Sequence, residues 1–250
     1  NLPHNHTHES GLPNPGRISF LVWLRVLRKV YLTRSRRTYY SQYGEDIVYD
    51  RVLNLRAPGF YVDVGCFHPT KYNNTYKLYR HGWRGINIDL DETKIRAFNL
   101  RRPRDVNLLA AVSDESREVT LFSFGFYSLV QTLDPSSATK VMGRQPHCVE
   151  SKVSTTQLTQ LIDQTRFRNR KIDVLSVDVE GLELEVLKSL DFDRYRPKLI
   201  VVESHERVLE AVMSSRLYEF LVAHGYQLFN WTGPSLLFLH PRERDCSPLP

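Results

Sequence analysis

"YQLFNWTGPSLLFLH", residues 226–240, holds two apolar runs separated only by Thr232, Gly233 and Pro234. Three residues cannot house a crossover helix, so the two runs must turn back on each other as an antiparallel hairpin. Upstream, strand-like runs recur at 59–64 (GFYVDV), 85–90 (GINIDL), 106–112 (VNLLAAV), 172–178 (IDVLSVD) and 198–204 (KLIVVES). Helical patterns fall between or after them, at about Asn74–His81, Glu92–Leu100, Thr156–Gln164, Leu182–Leu190 and Arg207–His224. Alternation of this kind predicts an α/β fold: a seven-stranded, mostly parallel sheet with helices on both faces, closed by the antiparallel C-terminal hairpin.

The remaining sequence divides into an arm, a body and a tail. Residues 1–16 are rich in Pro, Gly, Asn and His and are expected to be a disordered lead-in, with His4, His6 and His8 solvated. Next, Phe20, Trp23, Leu24, Leu27, Val30 and Tyr31 recur at helical spacing, with Arg25, Arg28 and Lys29 turned away, predicting a basic amphipathic helix. Its apolar run is far below the roughly 20 residues a bilayer crossing needs. It either lies on a membrane surface through residues 17–37 or packs on its own domain. The boundaries expected are 1–40 for this arm, 41–240 for the α/β domain and 241–250 for a tail. A chain that opens on Asn1 is expected to have lost an upstream segment.

The formal net charge of +6 belongs wholly to the arm: residues 1–40 carry seven Lys and Arg against Glu9, and residues 41–250 carry 27 of each sign. A neutral body argues against nucleic acid as a partner. Cys66, Cys148 and Cys246 stand far apart, without zinc-ligand spacing or an even count for a disulfide framework.

In an open α/β sheet, ligands sit beyond the carboxyl ends of the strands. Those ends carry Asp63, Asp89, Asp178 with Glu180, and Glu203. For an Asp in such a place a helix N-cap is the common fate, and Asp91 is the first candidate. The turn "DVGCFHP" after the first strand lacks the glycines that let helix N–H groups approach a pyrophosphate, which argues against a nicotinamide or flavin dinucleotide. Asp89, at the end of the second strand, is placed to accept hydrogen bonds from a ribose diol. One glycine, Gly65, suffices for close approach to a cofactor without phosphate, and the amino-acid end of S-adenosylmethionine is such a group.

"SQYGEDIV" (41–48), "YVDVGCFHP" (61–69), "NNTYKLYRHGWRGINID" (73–89), "AAVSD" (110–114) and "IDVLSVDVEGLELEVLKSLDF" (172–192), in this order and spacing, resemble the FkbM family of S-adenosylmethionine-dependent methyltransferases. The resemblance runs from about Ser41 to His240. It implies a seven-stranded Rossmann-like methyltransferase sheet, and methyl transfer to a hydroxyl of a sugar, glycolipid or other small acceptor. Carried over by position, Asp63 and Gly65 form the cofactor's first loop, Asp89 holds the ribose, and Ser113 with Asp114 lies near the adenine. Gln42, His68 and Asn74 join the cofactor-binding set, and Asp178 and Glu180 face the reaction centre. The family more often has Glu-Pro where this chain has Asp89-Leu90-Asp91, so the ribose contact can pass to Asp91.

An alcohol acceptor must lose its proton. The candidate bases are His205, His68, Glu180 and Asp178, with His205 and Glu180 favoured because both are expected to open onto the acceptor side. No metal is predicted, although a divalent ion on Asp178, Glu180 and Glu203 is an alternative way to acidify the acceptor. Gln42, Glu45 and Asp46 could begin a short helix closing over the cofactor. The stretch Phe124–Ser151 is long for a connection and is expected to be a lid or acceptor wall, with Tyr127, Met142 and His147 as candidate lining. Trp83 and Trp231 are assigned to core or sheet edge. The sequons at Asn5, Asn73 and Asn230 matter only in a secretory lumen, so location stays open between cytoplasm and lumen. The competing function is a catalytically inactive, membrane-associated binding or trafficking module built on the same fold.

Overall fold

The structure is a computed structural model, and it describes residues 19–32, 38–124, 131–133, 135–143 and 148–241. Two compact units divide the chain, 1–38 and 39–250. In the first, an α-helix, Phe20–Leu27, runs on through a wider-wound stretch, Arg28–Leu32. The expectations for His4, His6, His8, Asn5, Tyr127, His147 and Cys246 lie outside the described residues.

Eleven strands are described in the second unit: β1 (Phe60–Val64), β2 (Arg84–Asp89), β3 (Val106–Leu109), β4 (Ala111–Val112), β5 (Glu118–Ser123), β6 (Gln131–Thr132), β7 (Val149–Thr156), β8 (Val174–Val177), β9 (Leu199–Glu203), β10 (Gln227–Thr232) and β11 (Ser235–Leu239). Seven make the main sheet, in the order β10-β11-β9-β8-β1-β2-β3. The pairs from β3 to β9 are parallel, while β11 lies antiparallel to both β9 and β10. The hairpin expected from residues 226–240 is present, with its second strand inserted between β9 and β10.

Strand alternation sorts the core into two layers. Phe60, Val62 and Val64 face one side, with Ile86, Leu175, Ile200 and Phe238, against Leu158, Leu161, Val186 and Leu221 of three helices. Tyr61, Val174, Val201 and Leu237 face the other, with Tyr49, Leu78 and Trp83. All five residues of β1 are buried, so its side chains gain on both faces; each fully buried Val or Phe contributes about 1.5–3 kcal/mol. Trp231 lies on the edge strand β10.

Three expectations are corrected. The run 106–112 is two strands: β2 pairs β3 only as far as Asp89 and Leu109, after which the chain crosses to a second sheet, where Ala111 and Val112 pair Thr155 and Thr156. That four-stranded sheet, β4-β7-β5-β6, is built mostly from residues to which no element was assigned, and takes in only Gln131–Thr132 and residues 149–151 of the stretch Phe124–Ser151. The helix expected over 207–224 is broken into Leu209–Met213 and Arg216–Ala223, because Ser215 caps the second by accepting from Tyr218 N at 3.2 Å. Thr156, expected to open a helix, ends β7, and the helix itself covers Leu158–Asp163.

Candidate active site

The sheet's winding reverses at β1, which lies between β2 and β8. A cavity of about 300 Å³ opens there, lined among others by Gln42, Gly65, Asp89, Asp178, Glu180 and Glu203. Four of these are the acids at the ends of β2, β8 and β9.

Gly65 makes the convergence of β1 and β8 feasible. Its φ is +78°, and a Cβ there would lie 1.6 Å from the carbonyl oxygen of Asp178. Its close approach is thus to the neighbouring chain end, and Gly65 N and Cys66 N both donate to Ile88 O. The loop that follows holds two further residues in the left-handed region, Phe67 and Tyr72, both lining the cavity.

Asp89 already has three partners within the chain. Its Oδ2 accepts from Phe67 N at 3.1 Å, its Oδ1 from Asp91 N at 2.9 Å, and the buried Lys94 ammonium stands 3.7 Å from Oδ1. Burial raises its pKa, against the pull of Lys94 and the two amides. Lys94 also lines the cavity and lies over the Phe67 ring. As a helix-interior residue it carried no sequence signal beyond its charge.

On the far side of the cavity the carboxylates crowd one another. Burial, then the charge of Glu203, pushes Asp178 well above the carboxylate range, and a hydrogen bond joins the two. Glu180 is raised from its ordinary 4.5 to about 7, chiefly by burial and then by Asp178, while His205 opposes the shift. Its backbone is left-handed, φ +58°, in a turn tied by Glu183 Oε1, which accepts from Val179 N and Gly181 N, and by Thr132 Oγ1, which donates to Glu180 O at 3.0 Å. Non-glycine residues held there cost about 1–3 kcal/mol and cluster at functional sites. Glu203 is also raised to about 7, again first by burial, and its buried Oε2 has no hydrogen-bond partner. Glu180, Glu203 and His205 each offer one ligand atom, all within 4.8 Å of one another, so these three could hold a metal; Asp178 is not in that set.

The remaining candidates stand outside the cavity lining. Asp63 is buried and accepts from Asn73 Nδ2 and Thr75 Oγ1, within a polar cluster centred on the fully buried Arg102. That guanidinium donates to Pro69 O, Thr75 Oγ1 and Asn73 Oδ1, pinning the middle of the first loop to its far end. His68 Nδ1 accepts from Thr70 N and Lys71 N, and burial with nearby Lys71 lowers its pKa. Asn74 donates to Ser176 Oγ; Asp91 caps a helix by accepting from Thr93 N; Ser113 donates to Asp114, whose carbonyl accepts from Gln157. His205 is exposed at the rim, near Glu180. Glu45 and Asp46 are buried in a clasp: Glu45 accepts from Tyr43 N and Ser235 Oγ, Asp46 from Tyr40 N and Ser41 Oγ. From the long insertion, Leu133 lines the cavity and Met142 is half-buried. The Asn73 sequon is closed in the fold, since its amide is buried in bonds to Asp63 and Cys66 O.

A parallel sheet whose one reversed strand is next to last in space, with an acid-lined cavity at its switch point, defines a Rossmann-like α/β domain of the methyltransferase type. The chain belongs to the FkbM methyltransferase family: the description "Methyltransferase FkbM domain" matches residues 63–228. Among solved structures it is similar to the methyltransferase FkbM from Methylobacillus flagellatus KT, at 14% identity and TM-score 0.47, over 73% of this chain and 43% of that one. It is similar also to a TehB-like SAM-dependent methyltransferase from Corynebacterium glutamicum ATCC 13032 (12%, TM-score 0.39, 88% and 96%). A third is the precorrin-6y C5,15-methyltransferase from Geobacter metallireducens GS-15 (9%, TM-score 0.39, 82% and 92%). The chain thus spans under half the length of the first of these. No curated protein matches it.

Proposed function

We propose that the protein is an S-adenosylmethionine-dependent O-methyltransferase acting on a hydroxyl of a sugar, glycolipid or other small acceptor. The observation that carries this reading is the charge of the cavity: Asp89, Asp178, Glu180 and Glu203 against Lys94. A pyrophosphate would meet like charge there, whereas a sulfonium and an ammonium meet opposite charge. The unpartnered Glu203 Oε2 adds an acceptor that a cationic ligand can satisfy. S-adenosylmethionine, when bound, supplies an electrophilic methyl carbon.

The residues divide the remaining work. Asp89 has lone pairs left to accept from a diol after its two amides. A hydrogen bond between Asp178 and Glu203 fixes both side chains. Glu180, with a pKa of about 7, takes the acceptor's hydroxyl proton, and exposed His205 passes it to water. Leu133 and Tyr72 narrow the cavity and limit water.

One observation favours a second reading, a binding module without transfer. Lys94 places a buried ammonium against the carboxylate meant for the ribose, and its charge opposes a cationic cofactor. Calorimetric titration with S-adenosylhomocysteine and, separately, NADH discriminates the readings. Micromolar binding of S-adenosylhomocysteine, weakened about a hundredfold by Asp89→Ala, supports the enzyme. No binding by the wild type leaves the module, and preference for NADH overturns both. Mass-spectrometric detection of methylated glycan or glycolipid acceptors then tests the oxygen assignment.

A further inference from the structure

The transferase reading leaves the N-terminal unit without a role. Its helix, Phe20–Leu27, has no buried residue and no acid in its first turn. Phe20, Trp23, Leu24 and Leu27 lie at i, i+3, i+4 and i+7 and so share one face. Three of them are strongly exposed: Phe20 77%, Trp23 51% and Leu24 47%. Arg25, Arg28 and Lys29 follow on the other side, and the flanking sequence adds Arg17, Arg34, Arg36 and Arg37. The 13 residues from Phe20 to Leu32 make a rod of about 20 Å, and no helix among the described residues is long and apolar enough to cross a membrane.

Two features select the occupant of that face. An apolar stripe this wide asks for hydrocarbon or another apolar surface. The excess of seven bases over one acid in residues 1–40 opposes pairing with a second copy, because two arms would bring like charges together. An anionic lipid surface satisfies both features at once. We propose that the stretch from Phe20 to Leu32 is an interfacial helix that holds the protein on an anionic bilayer, with Phe20, Trp23, Leu24 and Leu27 among the acyl chains and Arg25, Arg28 and Lys29 at the headgroups. The arm accounts for all of the net charge, so this attraction is local and leaves the neutral body free of it.

The test is co-sedimentation of the full chain with vesicles of phosphatidylcholine alone or with about a third phosphatidylserine. Each basic residue near such a surface strengthens partitioning about fivefold, so Arg25→Gln, Arg28→Gln and Lys29→Gln together should weaken it about a hundredfold. Trp23→Glu with Leu24→Glu should abolish binding, and salt near about 0.5 M should release the wild type from the mixed vesicles. All variants should keep the wild-type melting temperature. Equal binding to both vesicle types, binding indifferent to Trp23→Glu, or no binding at all would overturn the proposal. So would concentration-dependent dimerisation without vesicle binding, or a lowered melting temperature in the Trp23 variant, which would put the apolar face on protein.

Discussion

Replacing Glu180 with glutamine should stabilise the folded protein at about pH 8, leave it almost unchanged at about pH 4, and remove most of its activity. The magnitude follows from its environment. In the unfolded chain this carboxyl ionises near 4.5, and in the fold near about 7, because burial and the Asp178 charge disfavour the anion. The folded state therefore holds the proton more tightly, and stability falls as pH rises from about 4.5 through about 7. Carried through without screening, that displacement is worth about 3 kcal/mol above the folded pKa. Solvent reaching the half-buried side chain reduces it to about 1–2 kcal/mol. An amide carries no such penalty, and the left-handed backbone at this position costs Glu and Gln alike, so strain cancels from the comparison. Thermal melts at the two pH values should show a gain of about 3–6 °C at the higher and almost none at the lower. In the wild type, kcat/KM should rise with pH up to about 7 and level off, as a base with that pKa requires, and Glu180→Gln should lose this limb with a rate lower by about 10²–10⁴. A gain in stability that is the same at both pH values, a loss at the higher one, or a variant that keeps its rate would refute the assignment.

Other substitutions probe the frame around the cavity. Arg102→Met leaves Asp63, Asn73 and Thr75 without their buried cation and should cost about 3–5 kcal/mol by urea denaturation, with Arg102→Lys recovering little because an ammonium cannot reproduce the fork. Gly65→Ala should lower stability by about 2 kcal/mol or more, since the left-handed backbone and the Asp178 carbonyl both resist a Cβ, and S-adenosylhomocysteine titration should show weakened binding. Chelators should leave kcat within about twofold, whereas millimolar Mn²⁺ should inhibit by occupying Glu180, Glu203 and His205; a rate that depends on added Mn²⁺ would reassign Glu180 from base to ligand.

The fold was legible where a local rule governs it. Continuous apolar runs gave the parallel strands, and the three-residue link at Thr232–Pro234 required β11 to reverse. Strand ends gave Asp89, Asp178, Glu180 and Glu203, all of which the sheet brings to one cavity. Asp63 followed the same rule and has another fate: strand alternation turns it away from the cavity, towards Arg102, a residue at a helix end 39 positions on that no local pattern marks. The second sheet was missed because β7, VESKVSTT, is mostly exposed and lacks an apolar alternation. Its pairing with β5 is a tertiary event that period-two reading cannot see. Glu45 belongs to the same class, for its partner Ser235 is 190 residues away.

The position of β11 bears on how the polypeptide is made. Its five residues are wholly buried, and it is the last described strand in the sequence, yet it completes the pairing of both β9 and β10. A nascent chain emerging from the ribosome can assemble β1 to β9 but must leave the β9 edge unpaired until residue 239 is out. The same holds for the clasp between Ser235 and Glu45, which joins the first and last parts of this unit. A stop codon anywhere before residue 239 would therefore leave an open, adhesive sheet margin, and such products should be cleared by proteolysis or aggregate.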